Sequence, residues 1–233
     1  MNEKINYQKE LDAILKNLEK MKVSSPLVKK PTLLLHACCA PCSSYVIEYL
    51  SAYFDITILY YNPNIYPQEE YERRLVELKQ FLVRFPVAIA SNIKLVVLDY
   101  KPQEFYETIG VETEPDLAKE AEKGERCRRC YTLRMKRAYK YAREHEFDWF
   151  TTTLSISPFK DAEKINEIGR GLQKVSVAAS LSPSGEAGTK FLPSDFKKHN
   201  GFKRSLDLSK EYGLYRQQYC GCVYSIHKPI YDS

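Results

Sequence analysis

The seven cysteines of this chain fall into three tight groups. The groups are C-C-x-x-C at Cys38, Cys39 and Cys42, C-x-x-C at Cys127 and Cys130, and C-G-C at Cys220 and Cys222. A spacing of two residues allows neighbouring sulfurs to converge on one centre, as they do in zinc ribbons and iron–sulfur sites. Because three such groups share one chain, the cysteines indicate a metal or redox site. Spacing alone leaves one alternative open, which is buried structural cysteine together with one zinc ion.

Zinc and an iron–sulfur cluster could each take four thiolates from two of these groups. Three thiols then remain, and the closely spaced pair Cys220 and Cys222 is suited to redox cycling or to a second metal. Structural zinc would leave the surplus thiols unexplained, whereas electron transfer accounts for them. The number of thiols therefore favours redox chemistry.

Basic residues surround the C-x-x-C group. Arginines flank its cysteines, and cations share one face of the helix that is predicted to follow. The flanking residues are Arg126, Arg128 and Arg129, and the helix face carries Arg129, Lys136, Lys140 and Arg143. These side chains could hold a phosphate backbone beside the metal site, or they could form an ordinary solvated surface. Both interpretations remain open at the level of sequence.

A polar segment from Ser194 to Lys198 follows a short predicted strand. The carboxylate of Asp195 could ligate a hard metal or donate a proton, and it could equally cap a helix. His36 lies on an apolar strand, where a histidine satisfied within the core is expected rather than a ligand. Because the chain has neither a G-x-G-x-x-G sequence nor a Walker loop, it is predicted to use no nucleotide cofactor.

Apolar strands and amphipathic helices alternate along the chain and must position these residues. The predicted strands lie at 33–36, 56–61, 93–98, 147–154 and 191–192, and the predicted helices at 3–22, 41–49, 71–85, 102–108, 127–143, 162–172 and 204–212. This order predicts an α/β fold with a parallel sheet, helices on both faces and ligands at the carboxyl ends of the strands. The first cysteine group directly follows a strand, and the second opens a helix whose dipole is expected to favour thiolate.

Length and composition limit the class of protein. A chain of 233 residues fits one large domain of residues 31–233 that carries the chemistry, preceded by an N-terminal helical appendage of residues 1–30. Hydrophobic residues are 44% and charged residues 28%, which excludes a disordered chain. No apolar run approaches the roughly 20 residues of a membrane span, and the N-terminus is charged, so a cytoplasmic protein with reduced thiols is predicted. The net charge of +5 permits a nucleic-acid partner without requiring one.

Several short motifs of this chain occur together in a specific order. They are LLHACCAPC at 34–42, YNPNI at 61–65, RCRRC at 126–130, TTTL at 151–154, ISP at 156–158, DFKK at 195–198 and YCGC at 219–222. This combination resembles the QueH epoxyqueuosine reductases from about Pro31 to Ser225. The segment from Ser180 to Thr189 is longer than the family usually has before Asp195.

The resemblance implies the last step of queuosine synthesis, in which an epoxide on the modified base at the tRNA wobble position is reduced to a cyclopentene with release of water. It implies a [4Fe-4S] cluster, a second iron nearby and no cobalamin. The implied fold is similar to the nucleotide alpha-hydrolase-like (HUP-like) three-layer sandwich. The implied partners are the tRNA anticodon stem–loop and an unidentified electron donor, with no membrane.

The resemblance also implies roles for individual residues. Cys38, Cys39, Cys127 and Cys130 match the cluster ligands, and Cys220 and Cys222 match a redox-active pair. That pair and Asp195 are also candidate ligands for the second iron, and Cys42 is a further candidate. The basic residues expected to contact RNA are Arg128, Arg129, Lys136, Lys140, Lys197 and Lys198.

Two other functions fit parts of this pattern. A zinc-stabilised RNA-binding protein without catalysis would use the cysteines and the basic residues. Sulfur insertion into tRNA would also use clustered cysteines, but it usually requires an ATP-binding loop, and residues 36–42 do not form one.

Overall fold

The computed structural model describes residues 5–24, 29–179 and 188–226. Its helices are α1 (Tyr7–Ser24), α2 (Ala40–Leu50), α3 (Gln68–Arg84), α4 (Pro86–Ala90), α5 (Pro102–Ile109), α6 (Glu125–Glu144), α7 (Ala162–Ala179) and α8 (Gly201–Glu211). Its strands are β1 (Thr32–Ala37), β2 (Asp55–Tyr60), β3 (Lys94–Val97), β4 (Trp149–Thr152) and β5 (Lys190–Phe191). Short 3₁₀ turns occur at Pro115–Ala118, Thr153–Ile156 and Val223–Ser225.

In the described part of the chain, the strands form one parallel sheet in the order β3-β2-β1-β4-β5. The chain builds outward from β1 to β3 and then crosses back to place β4 on the other side of β1. Loops that follow β1 and β4 therefore leave the sheet in opposite directions, and this opens a crevice at their carboxyl ends. The predicted α/β fold with a parallel sheet is confirmed.

Alternate residues of β1 bury opposite faces of the sheet, as the two-residue repeat of a strand requires. Leu33 and Leu35 join a cluster that includes side chains of α1, α2, α3 and α8. Leu34 joins a second cluster with side chains of α6 and α7. Both faces of the sheet are thus covered by helices, which agrees with a three-layer arrangement.

Several element boundaries differ from the sequence-based prediction for local reasons. The strand predicted at 147–154 ends at Thr152, because the Thr152 hydroxyl accepts a hydrogen bond from the Leu154 N–H and the chain turns. The helix predicted from residue 3 begins at Tyr7, where the Asn6 side chain accepts a bond from the Lys9 N–H. The short helix α4 was not predicted. Most of the segment 180–189 lies outside the described residues.

Helix α1 packs against the main body through its apolar face. Leu11 and Leu15 are buried in the same cluster as β1. On the polar side, the carboxylate of Asp12 accepts hydrogen bonds from the Tyr49 hydroxyl at 3.2 Å and from His199 Nε2 at 3.0 Å. The division into an appendage of residues 1–30 and a domain of residues 31–233 stays a prediction. No helix in the described ranges is both long and apolar enough to cross a membrane.

We expect Leu15→Ala to lower the free energy of unfolding by about 2–5 kcal/mol, because it leaves a cavity in the main cluster. Met21→Ala is the matched control on the same helix, since Met21 is 58% exposed, and it should change stability by no more than about 0.5 kcal/mol. Urea denaturation followed by circular dichroism measures both. An equally small effect of the two substitutions would show that α1 is not part of the core.

Candidate metal and redox centre

The first thiol group, Cys38, Cys39 and Cys42, lies at the junction of β1 and α2. Cys38 follows the last residue of β1, Cys39 is the cap residue of α2, and Cys42 is in the first turn of that helix. The three sulfur atoms lie within 4.8 Å of one another, and the Sγ atoms of Cys38 and Cys39 are 3.7 Å apart. Among the residues that the structure describes, this is the one cluster of at least three Cys, His, Asp or Glu ligand atoms at such distances.

The side chains of the first thiol group are hydrogen-bonded to one another. Hydrogen bonds from Cys39 and Cys42 hold the pKa of Cys38 well below its usual range. The same hydrogen bonds oppose ionisation of Cys39 and Cys42, which donate them. The hydrogen bond to Cys38 raises the pKa of Cys39 to about 12 and raises the pKa of Cys42 well above its ordinary value. Ionisation is therefore favoured at Cys38 and opposed at Cys39 and Cys42, and a bound cation would favour ionisation of all three.

The second thiol group consists of Cys127, Cys130, Cys220 and Cys222. Cys130 and Cys222 belong to one apolar cluster with Phe105 and Ile109 of α5. The negative charge of Cys220 contributes to the raised pKa values of the other three thiols, although burial is the largest cause for each. Burial raises the pKa of Cys130 to about 12 and that of Cys222 to about 11. Residues about 90 positions apart in sequence are thus brought together.

The helix dipole predicted to favour the Cys127 thiolate does not do so. Burial raises the pKa of Cys127, with the charge of Cys220 as the next contribution. The carboxylate of Glu120 accepts hydrogen bonds from the N–H groups of Glu125 at 2.7 Å and Arg126 at 2.8 Å. An anion therefore already occupies the positive end of α6, and the expectation from sequence was wrong.

The C-G-C segment is held by a buried arginine of α3. Arg74 donates to the carbonyl oxygens of Cys220 and Tyr219, each at 3.4 Å, and is paired with Glu70 at 2.7 Å. Gly221 has a φ of +121°, and a Cβ atom there would lie 3.0 Å from Arg74 Nη1. Glycine is required at this position by both its conformation and the close approach of the guanidinium.

The two thiol groups face each other across buried cations. Arg134 of α6 is 1% exposed, is hydrogen-bonded to Cys130, and donates to the Asn62 side-chain oxygen at 2.6 Å. Burial opposes its charge, but the negative charges of Cys130, Cys38 and Cys220 raise the pKa of Arg134. Lys160 is buried in the same place, and the charges of Cys220, Cys38 and Cys42 raise its pKa against the effect of burial.

A cavity of about 50 Å³ separates the groups, and Cys42, Cys220 and Lys160 all line it. Gln217 also lines the cavity and donates from Nε2 to the Sγ atom of Cys39 at 3.3 Å. Cys42 and Cys220 therefore open onto one space at the crevice between β1 and β4. The arrangement can hold a cation between thiolates and can expose a thiol to a small reacting group.

Sequence reasoning did not identify Arg74, Arg134, Lys160 or Gln217 as part of the site. The one sequence signal for Arg134 was the tyrosine–asparagine–proline motif after β2. Its Asn62 donates to the Ala37 carbonyl at 3.0 Å and accepts a hydrogen bond from Arg134. In the sequence, each of the four missed residues is a single polar residue among many. Burial separates Arg74, Arg134 and Lys160 from the rest, and the contact with Cys39 separates Gln217.

His36 is a core histidine, as the sequence predicts. Its Nε2 lies 3.1 Å from the Tyr61 carbonyl and its Nδ1 lies 2.8 Å from the Thr152 hydroxyl. Because a carbonyl can only accept, Nε2 carries the proton and Nδ1 accepts from Thr152. Burial lowers the pKa of His36 to about 3, so the ring is neutral and both its nitrogens are occupied.

Other predicted site residues lie away from the thiols. Asp195 is ion-paired with Lys197 at 2.7 Å and lines a different cavity. On α6, Arg128 is paired with Glu125, Arg129 with Glu114 and Glu125, and Lys140 with Glu144. Lys136 and Lys198 are exposed. Arg128, Arg129 and Lys140 of the basic face of α6 are thus neutralised by carboxylates of the helix itself and by Glu114.

Comparisons with known proteins agree on one family. The family model described as "Epoxyqueuosine reductase QueH" matches residues 33–228. The protein of that name from Streptococcus pyogenes serotype M1 is 40% identical over 225 residues, which is 96% of this chain and 79% of the relative. The corresponding protein from Staphylococcus epidermidis is 37% identical over 231 residues, covering 99% and 89%. The one from Thermotoga maritima is 32% identical over 196 residues, covering 84% and 90%.

The matched region contains both thiol groups, Arg74, Arg134 and Lys160. A model match over this length, together with identities above 30% over most of both chains, establishes the relationship. The chain therefore belongs to the epoxyqueuosine reductase QueH family, a family of oxidoreductases.

Proposed function

We propose that this chain reduces epoxyqueuosine at the wobble position of tRNA to queuosine by means of a [4Fe-4S] cluster and an adjacent thiol pair. Membership of the family supports the reaction. The observation that carries the proposal is the meeting of two thiol groups around buried cations at the carboxyl edge of the sheet. The reaction removes an epoxide oxygen as water and leaves a carbon–carbon double bond, so it consumes two electrons and two protons.

Four cysteine thiolates are the donor set that a [4Fe-4S] cluster takes, and Cys38 and Cys39 already lie together with Cys42. Four cysteines, Cys38, Cys39, Cys127 and Cys130, would hold the cluster, and all four are free thiols. A cluster ligated by four thiolates has a negative net charge, and a buried site must compensate that charge. Arg134, whose charge is stabilised by Cys38 and Cys130 together, is placed to do this. When bound, the cluster supplies electrons one at a time.

The remaining thiols have two competing roles. As a dithiol, Cys220 and Cys222 would give up two electrons and two protons in closing to a disulfide, which is the amount that deoxygenation consumes. The electron donor would then restore both thiols. As metal ligands, the same two sulfurs would hold a second iron, with Asp195 and Cys42 as further candidates. We favour the dithiol role, because Asp195 is engaged by Lys197 and lines a separate cavity.

The chain's own residues prepare the site for either role. Arg74 fixes the backbone of the C-G-C segment, and the Gln217 amide donates to Cys39. Cys220 and Lys160 line the same cavity, where the oxygen of the substrate would leave. A fixed positive charge there would stabilise the negative charge that develops on a departing oxygen.

Deleting the gene tests the reaction itself. We expect tRNA from the deletion strain to accumulate epoxyqueuosine and to lack queuosine, because the last step is blocked. Mass analysis of the tRNA nucleosides measures both, and expression of the wild-type chain should restore queuosine. A Cys38→Ser chain is the control that should not restore it. If thionucleosides were missing and queuosine were normal, the chain would act in sulfur insertion and the proposal would be wrong.

Substitution of one thiol tests the division of roles. We expect Cys220→Ser to keep its iron and sulfide and to lose about 100-fold or more in kcat, the range seen when a positioned proton donor is removed. The matched substitution Cys38→Ser should lose the iron. Visible absorbance and iron analysis under anaerobic conditions, with single-turnover assays on tRNA, separate the two. Loss of the cluster absorbance in Cys220→Ser would show that Cys220 is a ligand.

A further inference from the structure

A second, larger cavity adjoins the thiol centre. It has a volume of about 510 Å³ and lies between the first turn of α1 and the loops that follow β4 and β5. Four lysines line it, and we call it the lysine cavity: Lys123, Lys160, Lys197 and Lys198. Lys160 also lines the small cavity beside Cys42 and Cys220, so the two cavities share a wall.

Ion pairs neutralise only part of the positive charge in the lysine cavity. Lys197 is paired with Asp195, but Lys123, Lys160 and Lys198 have no ion pair with any carboxylate in the described part of the chain. Of the other acidic residues in the wall, Asp161 caps α7 by accepting a bond from the Lys164 N–H at 3.1 Å. Glu163 has an interaction of its own. Lys123 and Lys198 are exposed and are therefore the ammonium groups available to an external anion, whereas Lys160 is buried beside the thiols.

The basic face of α6 differs in this respect. Arg128 makes two hydrogen bonds to Glu125, at 2.6 and 2.8 Å, and Arg129 makes two to Glu114, at 2.7 and 3.1 Å. An RNA phosphate would have to displace these carboxylates before it could bind. Lys123 and Lys198 have no such ion pair among the described residues, so these two lysines are better placed to bind a phosphate than Arg128 and Arg129.

We propose that the lysine cavity binds backbone phosphates of the substrate RNA beside the nucleotide whose base reaches the thiols. This rests on the proposed function, which makes tRNA the substrate. The cavity volume is within the range of roughly 300–1,000 Å³ that ligand pockets have, and a flipped-out nucleotide needs a concave site of this kind. An acidic protein is the other anionic partner that lysines attract, but a docking surface for a protein need not be concave.

Helix α1 makes the cavity concave. Asn6 and Tyr7 form its outer wall, and the Tyr7 ring is fixed beneath the Arg170 guanidinium, whose carbon lies 5.1 Å from the ring centre. This wall precedes residue 33, where the match to the family model begins. The structure thus gives α1 a part in forming the RNA site as well as in packing.

Binding of tRNA tests the proposal. The variant is Lys123→Gln with Lys198→Gln, which removes two charges and leaves Lys160 beside the thiols intact. We expect its Kd for an unmodified tRNA transcript to rise roughly tenfold and the slope of log Kd against log salt to fall by about 1 per lysine. Fluorescence anisotropy over a range of salt concentrations measures both, and unchanged iron content and melting temperature would verify that the variant is folded.

The matched control is Lys79→Gln with Lys94→Gln. These lysines are exposed on α3 and β3, at the opposite edge of the sheet, and their loss changes the net charge by the same amount. We expect the control to bind tRNA like the wild type. A third variant, Arg128→Gln with Lys136→Gln, tests the face of α6 in the same assay.

Three results would overturn the proposal. Wild-type affinity in the Lys123 and Lys198 variant would exclude a phosphate site in the lysine cavity, and a loss confined to the Arg128 and Lys136 variant would move the site to α6. The Lys123 and Lys198 variant could also bind tRNA like the wild type, turn over at the wild-type rate with dithionite and turn over more slowly than the wild type with a protein electron donor. That result would identify an acidic protein as the occupant. A wild-type chain that does not bind tRNA would instead contradict the proposed function itself.

Discussion

The structure depends on the charge balance between buried cations and thiols. A guanidinium or an ammonium is expensive to bury unless a negative charge or several hydrogen bonds accompany it. Arg74 has Glu70, but the charges of Arg134 and Lys160 are stabilised by cysteines. Cys38 is the cysteine whose pKa is lowered, so its thiolate is best suited to balance these buried cations, and anionic thiolates of a bound cluster would balance them further.

The fold brings the members of this balance together from distant parts of the chain. Cys38 follows β1, Asn62 follows β2, and Lys160 follows β4 and precedes α7, so three strand ends converge on one crevice. Arg134 reaches the crevice from α6 and is oriented by Asn62. A parallel sheet that reverses its strand order between β1 and β4 provides this convergence, and the segment that follows α8 adds Gln217 and Cys220 to it.

Much of this architecture could be predicted from the sequence. The alternation of apolar strands and amphipathic helices predicted the layers correctly, and the C-C-x-x-C spacing predicted the grouping of Cys38, Cys39 and Cys42. Arg134 could not be distinguished from the other cations of α6, because only three-dimensional packing turns it towards Cys130. The prediction for Cys127 failed for a similar reason, because its pKa is raised mainly by burial, which the sequence does not show, and Glu120 from outside the helix takes two N–H groups of the first turn.

The central claim is that these thiols and buried cations form a site for an iron–sulfur cluster. The most direct test is the content of iron, sulfide and zinc in the wild-type chain after anaerobic purification. The account predicts a brown protein with about four iron and four sulfide ions per chain, as a [4Fe-4S] cluster requires. A colourless protein with stoichiometric zinc and no sulfide would contradict it.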